Sequence, residues 1–595
     1  MIKNRLRYVG YAVPILMLLW GILDTRWERY QIDGDANAFM DIADLIHAHR
    51  FADAANGYWN PAYSAALALG QAIAHPSRFG ELQVFYWVNF AIFLGCIAAC
   101  LFFVQSLVRL RALLSQESDS APALSPLALR LSALALLFYS FQRELALSAV
   151  RSDALLLFFF LLAGGLVFRL QAGARLYCYG LLGLSLGLAY LTKSFAFLPS
   201  IAMLFGLFLF GITRRSNQAA QVSSRAICSS SPQLTRNRIL GGTLLAAVVF
   251  VGCAAPYIAA ISHQRGRLTT GESARLNYAF FIDGMARWHE FRTNEIGHAK
   301  VDWKHHETLL LNDPPVYSYA VHPVGTYPLW FDPAWYTDTV HPVVYLPGQV
   351  HQLVRNTALL VRFFAGHAEV FVLLFALLLT GSMFVWRANV WLPMLPILAL
   401  GILFFLIYYP VDFQDRYLTA ALLLTFLPLL AVVRRPHNGP AGEIALGLAL
   451  LLVCLSVTTA FSDVLDRRRV MKVYRQTGAF NTQYLDAAHS MAALGIRPGE
   501  NVACFGTELC QFDTYWARLA GTPIRAEIQV PGDTDAGAYW NSLPDQKRVV
   551  DTLRKENLAA IVAHFAPSSH IPADWHQLGK SDLYAYLLGP GQSPG

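Results

Sequence analysis

The chain has 595 residues, 55% of them hydrophobic and 14% charged, with a mean hydropathy of +0.39. Apolar runs of about 17 residues or more recur along most of it, each long enough to cross hydrocarbon, which excludes a purely soluble protein and a disordered one. The net charge of +7 calls for no nucleic-acid partner, because the basic residues sit mainly in short loops between apolar runs.

Lys3, Arg5 and Arg7 precede the first run, about Tyr8 to Leu23. That run lacks a small-residue cleavage site and reads as an anchor with its N-terminus in the cytoplasm. Residues 24–81 then form an external loop. Within it, from Ala36 to about Arg50, Phe39, Ile42, Ala43 and Ile46 recur at helical spacing, and Asn37, Asp41, Asp44 and His47 hold the other face. This pattern predicts a short amphipathic helix lying in the bilayer interface. Asp35 stands at its N-terminus, either as a simple cap or as a functional acid favoured in its ionised form by the helix dipole.

Leu82–Val108 returns to the cytoplasm at Arg109 and Arg111, and a span from about Pro126 leads out to a polar turn holding Arg143, Glu144 and Arg151. Asp153 opens the next span, which ends near Arg169 and Arg175. Leu176–Leu191 and Phe195–Ile212 form a hairpin with Lys193 at its outer tip. A Ser/Gln/Arg-rich cytoplasmic stretch follows, then a span at Ile239–Ile261 and a second external loop, 263–366. Spans near Val370–Phe384, Trp391–Tyr408, Tyr417–Val433 and Ala445–Phe461 complete the set. The expected fold is a polytopic α-helical membrane domain, residues 1–462, with about eleven transmembrane helices. From 463 to 595, short strands alternate with helices, which implies a C-terminal α/β domain on the outer side. It carries no Gly-rich nucleotide loop. Cys504 and Cys510 lie in this region and could pair outside the cytoplasm.

This topology gathers ionisable residues at the outer face: Asp33, Asp35, Arg143, Glu144, Arg151, Asp153, Lys193, Asp412, Asp415 and Arg416. Such groups at span ends are costly unless they pair, snorkel or meet a ligand. Acids and bases recurring beside several spans on one side favour a shared polar cavity.

The order and sidedness of these features resemble the GT-C polyprenyl-phosphate-sugar glycosyltransferases, including family 39 protein mannosyltransferases and lipid A aminoarabinose transferases. Asp35, Phe39 and Ala43 match the spacing of that family's first external loop. Asn60-Pro-Ala-Tyr63 is a reduced form of its Pro-rich patch, Asp153 matches its Asp opening a later span, and Lys193 and Asp415-Arg416-Tyr417 also look like family features. The family's second acid is replaced here by Ala36, which leaves any paired role to Asp33. The resemblance covers roughly Met1 to Phe461. It implies a polyprenyl-phosphate-sugar donor entering from the bilayer and a glycan, lipid or protein acceptor. Asp35 would be the general base of an inverting transfer, and Asp153 with Arg151 would position the acceptor or orient that base. Lys193 and Arg416 would stabilise the leaving phosphate, with Asp33, Tyr63 and Tyr417 completing the substrate site. No metal is required, since a lipid phosphate can depart without one, although a divalent cation is compatible with the chemistry. The rival expectations are a lipid-linked-sugar transporter or flippase, which would hold charges near mid-membrane in repeat-related helices, and a non-catalytic scaffold of the same fold.

The second external loop is rich in His and aromatics. His305, His306, His322 and His341 lack metal-ligand spacing. The Trp330–Tyr336 run suits either stacking on sugar rings or an interfacial aromatic belt. Arg265, Arg267, Asn277 and Tyr278 read as loop-ordering residues.

Overall fold

A computed structural model describes residues 2–26, 32, 34–114, 121–213, 236–285, 297–301, 307–319, 325–337, 340–381, 383–384, 391–435, 440–477, 483–506, 510, 513–530, 535–565 and 571–589. Asp33, His305, His306 and His322 lie outside these residues. The described chain is mostly helical up to Thr477 and mixed beyond it.

Against the expected eleven or so spans, six helices among the described residues are long and apolar enough to cross a bilayer, or up to seven if one bent pair counts as a single span. The bent pair, Leu346–Gly366 and Ala368–Leu379, turns by 78° at His367. Three further apolar helices, Val9–Thr25, Tyr177–Thr192 and Leu395–Tyr408, are shorter. Apolar runs in the sequence are thus distributed between full-length helices and shorter ones packed among them.

The helices meet through one continuous apolar core that includes Trp20, Phe103, Leu134, Phe160, Leu186 and Leu424. Small residues let backbones approach closely. A Cβ on Gly165 would lie 2.5 Å from the Phe102 ring, and one on Gly183 would lie 2.2 Å from the carbonyl oxygen of Ala246. Glu81–Leu114 packs on Asp153–Gln171, which in turn packs on Tyr177–Thr192. The last two are consecutive helices joined by a short turn, so they run antiparallel. The N-terminus of one therefore shares an end with the C-terminus of the other, and Asp153 and Lys193 arrive together.

At that end sits a seven-stranded sheet. Its strand order is Trp575–Gln577, Leu583–Leu587, Ala560–His564, Val502–Phe505, Ile524–Ile528, Pro315–Tyr319 and Glu307–Asn312. Val502–Phe505 pairs in parallel with both of its neighbours, and the other pairings are antiparallel. The C-terminal region, where the sequence implies strands alternating with helices, contributes five of these strands. The remaining two come from the second external loop, which is built into the same sheet: Val316 pairs with Ile528 and Ser318 with Ala526. Tyr327 Oη donates to Glu527 at 2.8 Å, and Tyr319 Oη donates to the same carboxylate. A disulfide joins Cys504 and Cys510, with Cα atoms 5.7 Å apart.

Candidate active site

The predicted interfacial helix forms at Gly34–His47, with Asp35 in its first turn. Its environment differs from the expected one. Both faces are covered, and Ala36, Asn37, Phe39, Met40, Asp41, Ile42 and Ala43 are all buried. The polar face meets both the C-terminal region and the second external loop. Asn37 Nδ2 donates to Thr514 Oγ1 at 2.7 Å, and Asp41 accepts from the amide and hydroxyl of Thr326 at 2.7 and 2.8 Å. Arg518 is the principal link. Its side chain is 1% exposed and reaches Asp41 at 2.6 Å, Glu81 at 2.7 Å and Asp44 at 3.1 Å. Arg78 also pairs with Asp44, at 2.6 Å.

The electrostatics follow from that crowding. Burial pushes the Asp44 carboxyl up, but Arg518 and Arg78 overcome it and hold the group down at about 2. At Asp41 burial prevails over Arg518, and the pKa lies above its ordinary value. For Arg518, burial opposes the charge, but Asp44, Glu81 and Asp41 more than offset it and keep the guanidinium protonated. The sequence offered no signal for Arg518 beyond a lone arginine in a mostly apolar helix, Tyr515–Ala520.

Asp35 itself is held where the aromatic loop crosses the helix start. A Cβ on Gly34 would lie 2.2 Å from Cε2 of Trp330, so only glycine permits that indole to sit there. The Trp330–Tyr336 run serves this packing. Trp330, Phe331 and Tyr336 are 6%, 0% and 4% exposed, so the run is core against the Gly34–His47 helix and the sheet, and neither an open sugar platform nor a membrane belt. Arg265 fixes the same loop through Asp332, with contacts at 2.7 and 2.8 Å, and caps the carbonyl of Asn56 at 2.6 Å.

Four of the sequence candidates converge from four separate segments. Lys193 Nζ lies 2.8 Å from Asp153 Oδ1. Arg416 stands between two carboxylates, its Nε 3.8 Å from Asp153 Oδ2 and an Nη 3.7 Å from Asp35 Oδ2. Asp153 is at the first turn of Asp153–Gln171, where the helix dipole favours an anion. Lys193 follows the C-terminus of Tyr177–Thr192, where it favours a cation. Tyr417 lies beneath Lys193, with the ammonium 4.2 Å from its ring centre, and stacks on Tyr408 at 4.1 Å. Phe195 continues the stack on Tyr408 at 4.3 Å. Arg151 is close enough for its charge to act on Asp153. The side chains of Asp153, Arg416 and Lys193 are 11%, 14% and 25% exposed, and that of Asp35 is 29%. A cavity of about 10 Å³, the space of one water, lies among Asp153, Arg416, Tyr417 and Phe404.

Other candidates go elsewhere. Tyr63 is fully buried and donates to Asn89 Oδ1 at 2.8 Å; Asn89 in turn donates to the carbonyls of Leu147 and Ala149 at 2.9 Å each. Tyr63 thus pins the turn that leads to Asp153 from behind. Glu144, grouped by sequence with this site, pairs with His367 at 2.9 Å at the helix bend, and Asp415 feels that pair's charges. Asp412 accepts from Gln414 at 2.9 Å.

No family model and no curated protein matches the sequence. Similar solved structures include ArnT from Cupriavidus metallidurans in the apo state, at 14% identity over 100% of both chains with a TM-score of 0.49. The same protein bound to undecaprenyl phosphate is similar at 14% identity over 98% of this chain and 99% of that one, with a TM-score of 0.48. The Archaeoglobus fulgidus oligosaccharyltransferase, tethered to an acceptor peptide, is similar at 12% identity over 93% of this chain and 69% of that one, with a TM-score of 0.43.

Proposed function

We propose that the chain is a membrane glycosyltransferase that moves a sugar from a polyprenyl phosphate to an acceptor hydroxyl. The observation that carries this reading is Arg416 bridging Asp35 and Asp153 at 3.7 and 3.8 Å while Lys193 holds Asp153 at 2.8 Å. It sets the partly exposed carboxylate of Asp35 beside Arg416, whose other partner, Asp153, is also held by Lys193, at the ends of membrane helices. Asp35 takes the proton of the acceptor hydroxyl as that oxygen bonds to the anomeric carbon. The bond from that carbon to the phosphate oxygen breaks, its electron pair leaves on the lipid phosphate, and the configuration inverts. Arg416 and Lys193 receive the developing charge, the first as a fork and the second as a compact point charge. With two cations in place, the departure of phosphate needs no metal. The space among these side chains is water-sized, so the phosphate takes over hydrogen bonds that Asp153 now holds. Glycan, lipid and protein acceptors all offer the required hydroxyl.

The test is mass spectrometry of surface glycans and lipid-linked sugars in a deletion strain carrying wild type or Asp35→Asn at equal expression. Loss of one sugar from a glycan, with its lipid-linked donor accumulating, is expected for the variant. An unchanged glycan profile in Asp35→Asn beside a defect in the deletion would remove Asp35 as the base and favour transport or scaffolding.

A further inference from the structure

The opposite end of the same helices carries a second cavity, far larger than the first. It measures about 570 Å³ and is lined by Arg109, Arg169 and Arg175 at one level and by Phe159, Leu181 and Leu184 along its wall. Among the described residues, no aspartate or glutamate lines it. Arg169 is held in place, its Nε donating to Ser106 Oγ at 3.1 Å and its guanidinium 5.4 Å above the Phe102 ring. Arg238 adds a fourth positive charge beside the wall by donating to the carbonyl of Ala174, itself a lining residue, at 2.9 Å. Leu181 and Leu184 remain 45% and 41% exposed, so the wall opens sideways, toward hydrocarbon once the helices are in a bilayer.

We propose that this cavity is a binding site for an anionic glycerophospholipid. The phosphate sits among the three arginines, and an acyl chain lies along Phe159, Leu181 and Leu184. Two features together select this occupant. Three guanidiniums with no carboxylate beside them among the described residues call for a phosphate, and a wall open to lipid calls for hydrocarbon attached to it. A free phosphate would satisfy the first and leave the second bare. Basic pockets between membrane helices on the cytoplasmic side are the usual seats of anionic head groups, and the positive-inside rule puts Arg109, Arg169 and Arg175 on that side. Asp153 and Arg169 lie on one helix, about 24 Å apart at 1.5 Å per residue, so the lipid would occupy the leaflet opposite the candidate active site. This proposal is independent of the sugar-transfer reading.

The experiment uses the purified full-length protein. Native mass spectrometry counts retained phospholipid, and thermal stability is followed while phosphatidylglycerol, phosphatidylcholine, inorganic phosphate or a polyprenyl phosphate is titrated. One phosphatidylglycerol should be retained, with at least tenfold preference over phosphatidylcholine. Arg109→Ala/Arg175→Ala should weaken it at least tenfold. Leu184→Trp, which fills the cavity and keeps every charge, should weaken it similarly, and Arg109→Lys/Arg175→Lys, included in case the alanine pair fails to fold, should retain most of it. The proposal fails if phosphatidylcholine binds as well, or if Leu184→Trp leaves binding unchanged. It also fails if inorganic phosphate displaces the lipid at comparable concentration, or if polyprenyl phosphate displaces it at a tenth of that concentration, which would make the occupant the carrier lipid.

Discussion

Gly34 and Trp330 make the sharpest demand at the scale of single residues. A methyl group on residue 34 would meet the indole at 2.2 Å, so Gly34→Ala must displace either the indole or the helix start that carries Asp35. Transfer should fall about tenfold or more although no ionisable group has changed, since misplacing a reacting group by about 1 Å costs up to 10²-fold. Gly34→Ala/Trp330→Leu should recover most of the loss, as read by donor turnover in detergent. Arg416→Lys keeps the charge but cannot span two carboxylates 3.7 and 3.8 Å from different nitrogens. It should lower kcat about tenfold with little change in KM if the fork acts mainly on the leaving group. Asp35, Asp153, Lys193 and Arg416 were legible because the expected topology gathers ionisable groups at one face and the family resemblance singled these out from the ten it gathers. Trp330 was visible only as an aromatic run. A sequence cannot tell an aromatic that packs on a glycine from one that faces a ligand, because the difference lies in which backbone approaches it.

At the scale of elements, the Gly34–His47 helix is clamped from outside through Arg518. Arg518→Ala would leave three carboxyl groups around a vacated, dry position, and removing one partner of a buried ionic cluster costs about 3–5 kcal/mol. The C-terminal sheet region should become protease-sensitive at temperatures where the membrane helices stay intact, which gel analysis of limited digests would reveal. The cluster also sets an acid limit. Asp44 has a folded pKa of about 2 against an ordinary 3.8, so its contribution is complete above about pH 4 and is lost as the pH falls toward 2. Asp44→Asn should therefore flatten the fall in Tm between pH 4 and pH 2, a difference of about 2 kcal/mol. The helix itself was readable from its periodicity, but its setting was not. Asp41, Asp44 and Asn37 look like a solvated face because hydrophobic patterning cannot distinguish water from a buried guanidinium as the partner of a carboxylate.

On the scale of the whole molecule, the helical half and the sheet-bearing half are joined by more than one linker. The alternation of strands and helices from residue 463 onward predicted an α/β unit, and five strands of the sheet come from that region. The participation of Glu307–Asn312 and Pro315–Tyr319 was not foreseeable, since a strand pair in a long loop carries no mark of the distant edge it will join. The Cys504–Cys510 disulfide staples this unit at Val502–Phe505. Closing so short a loop stabilises by about 2 kcal/mol in the chain-entropy account. Cys504→Ser/Cys510→Ser should lower the outer unit's melting temperature by a few degrees and leave donor binding intact, as scanning calorimetry and donor titration would show.

The shared sheet also orders events in time. Val316 must wait for Ile528, more than two hundred residues later, before it acquires its partner. At about 5–20 residues per second, translation leaves that edge bare for roughly 10–40 seconds, while the intervening membrane helices are inserted. The sheet-bearing unit is therefore the last part of the molecule to form, and a ribosome that stops between about residue 478 and residue 528 releases a protein with its helical bundle complete and an open β edge. Such truncated chains would be natural substrates for the chaperones and proteases on that side of the membrane.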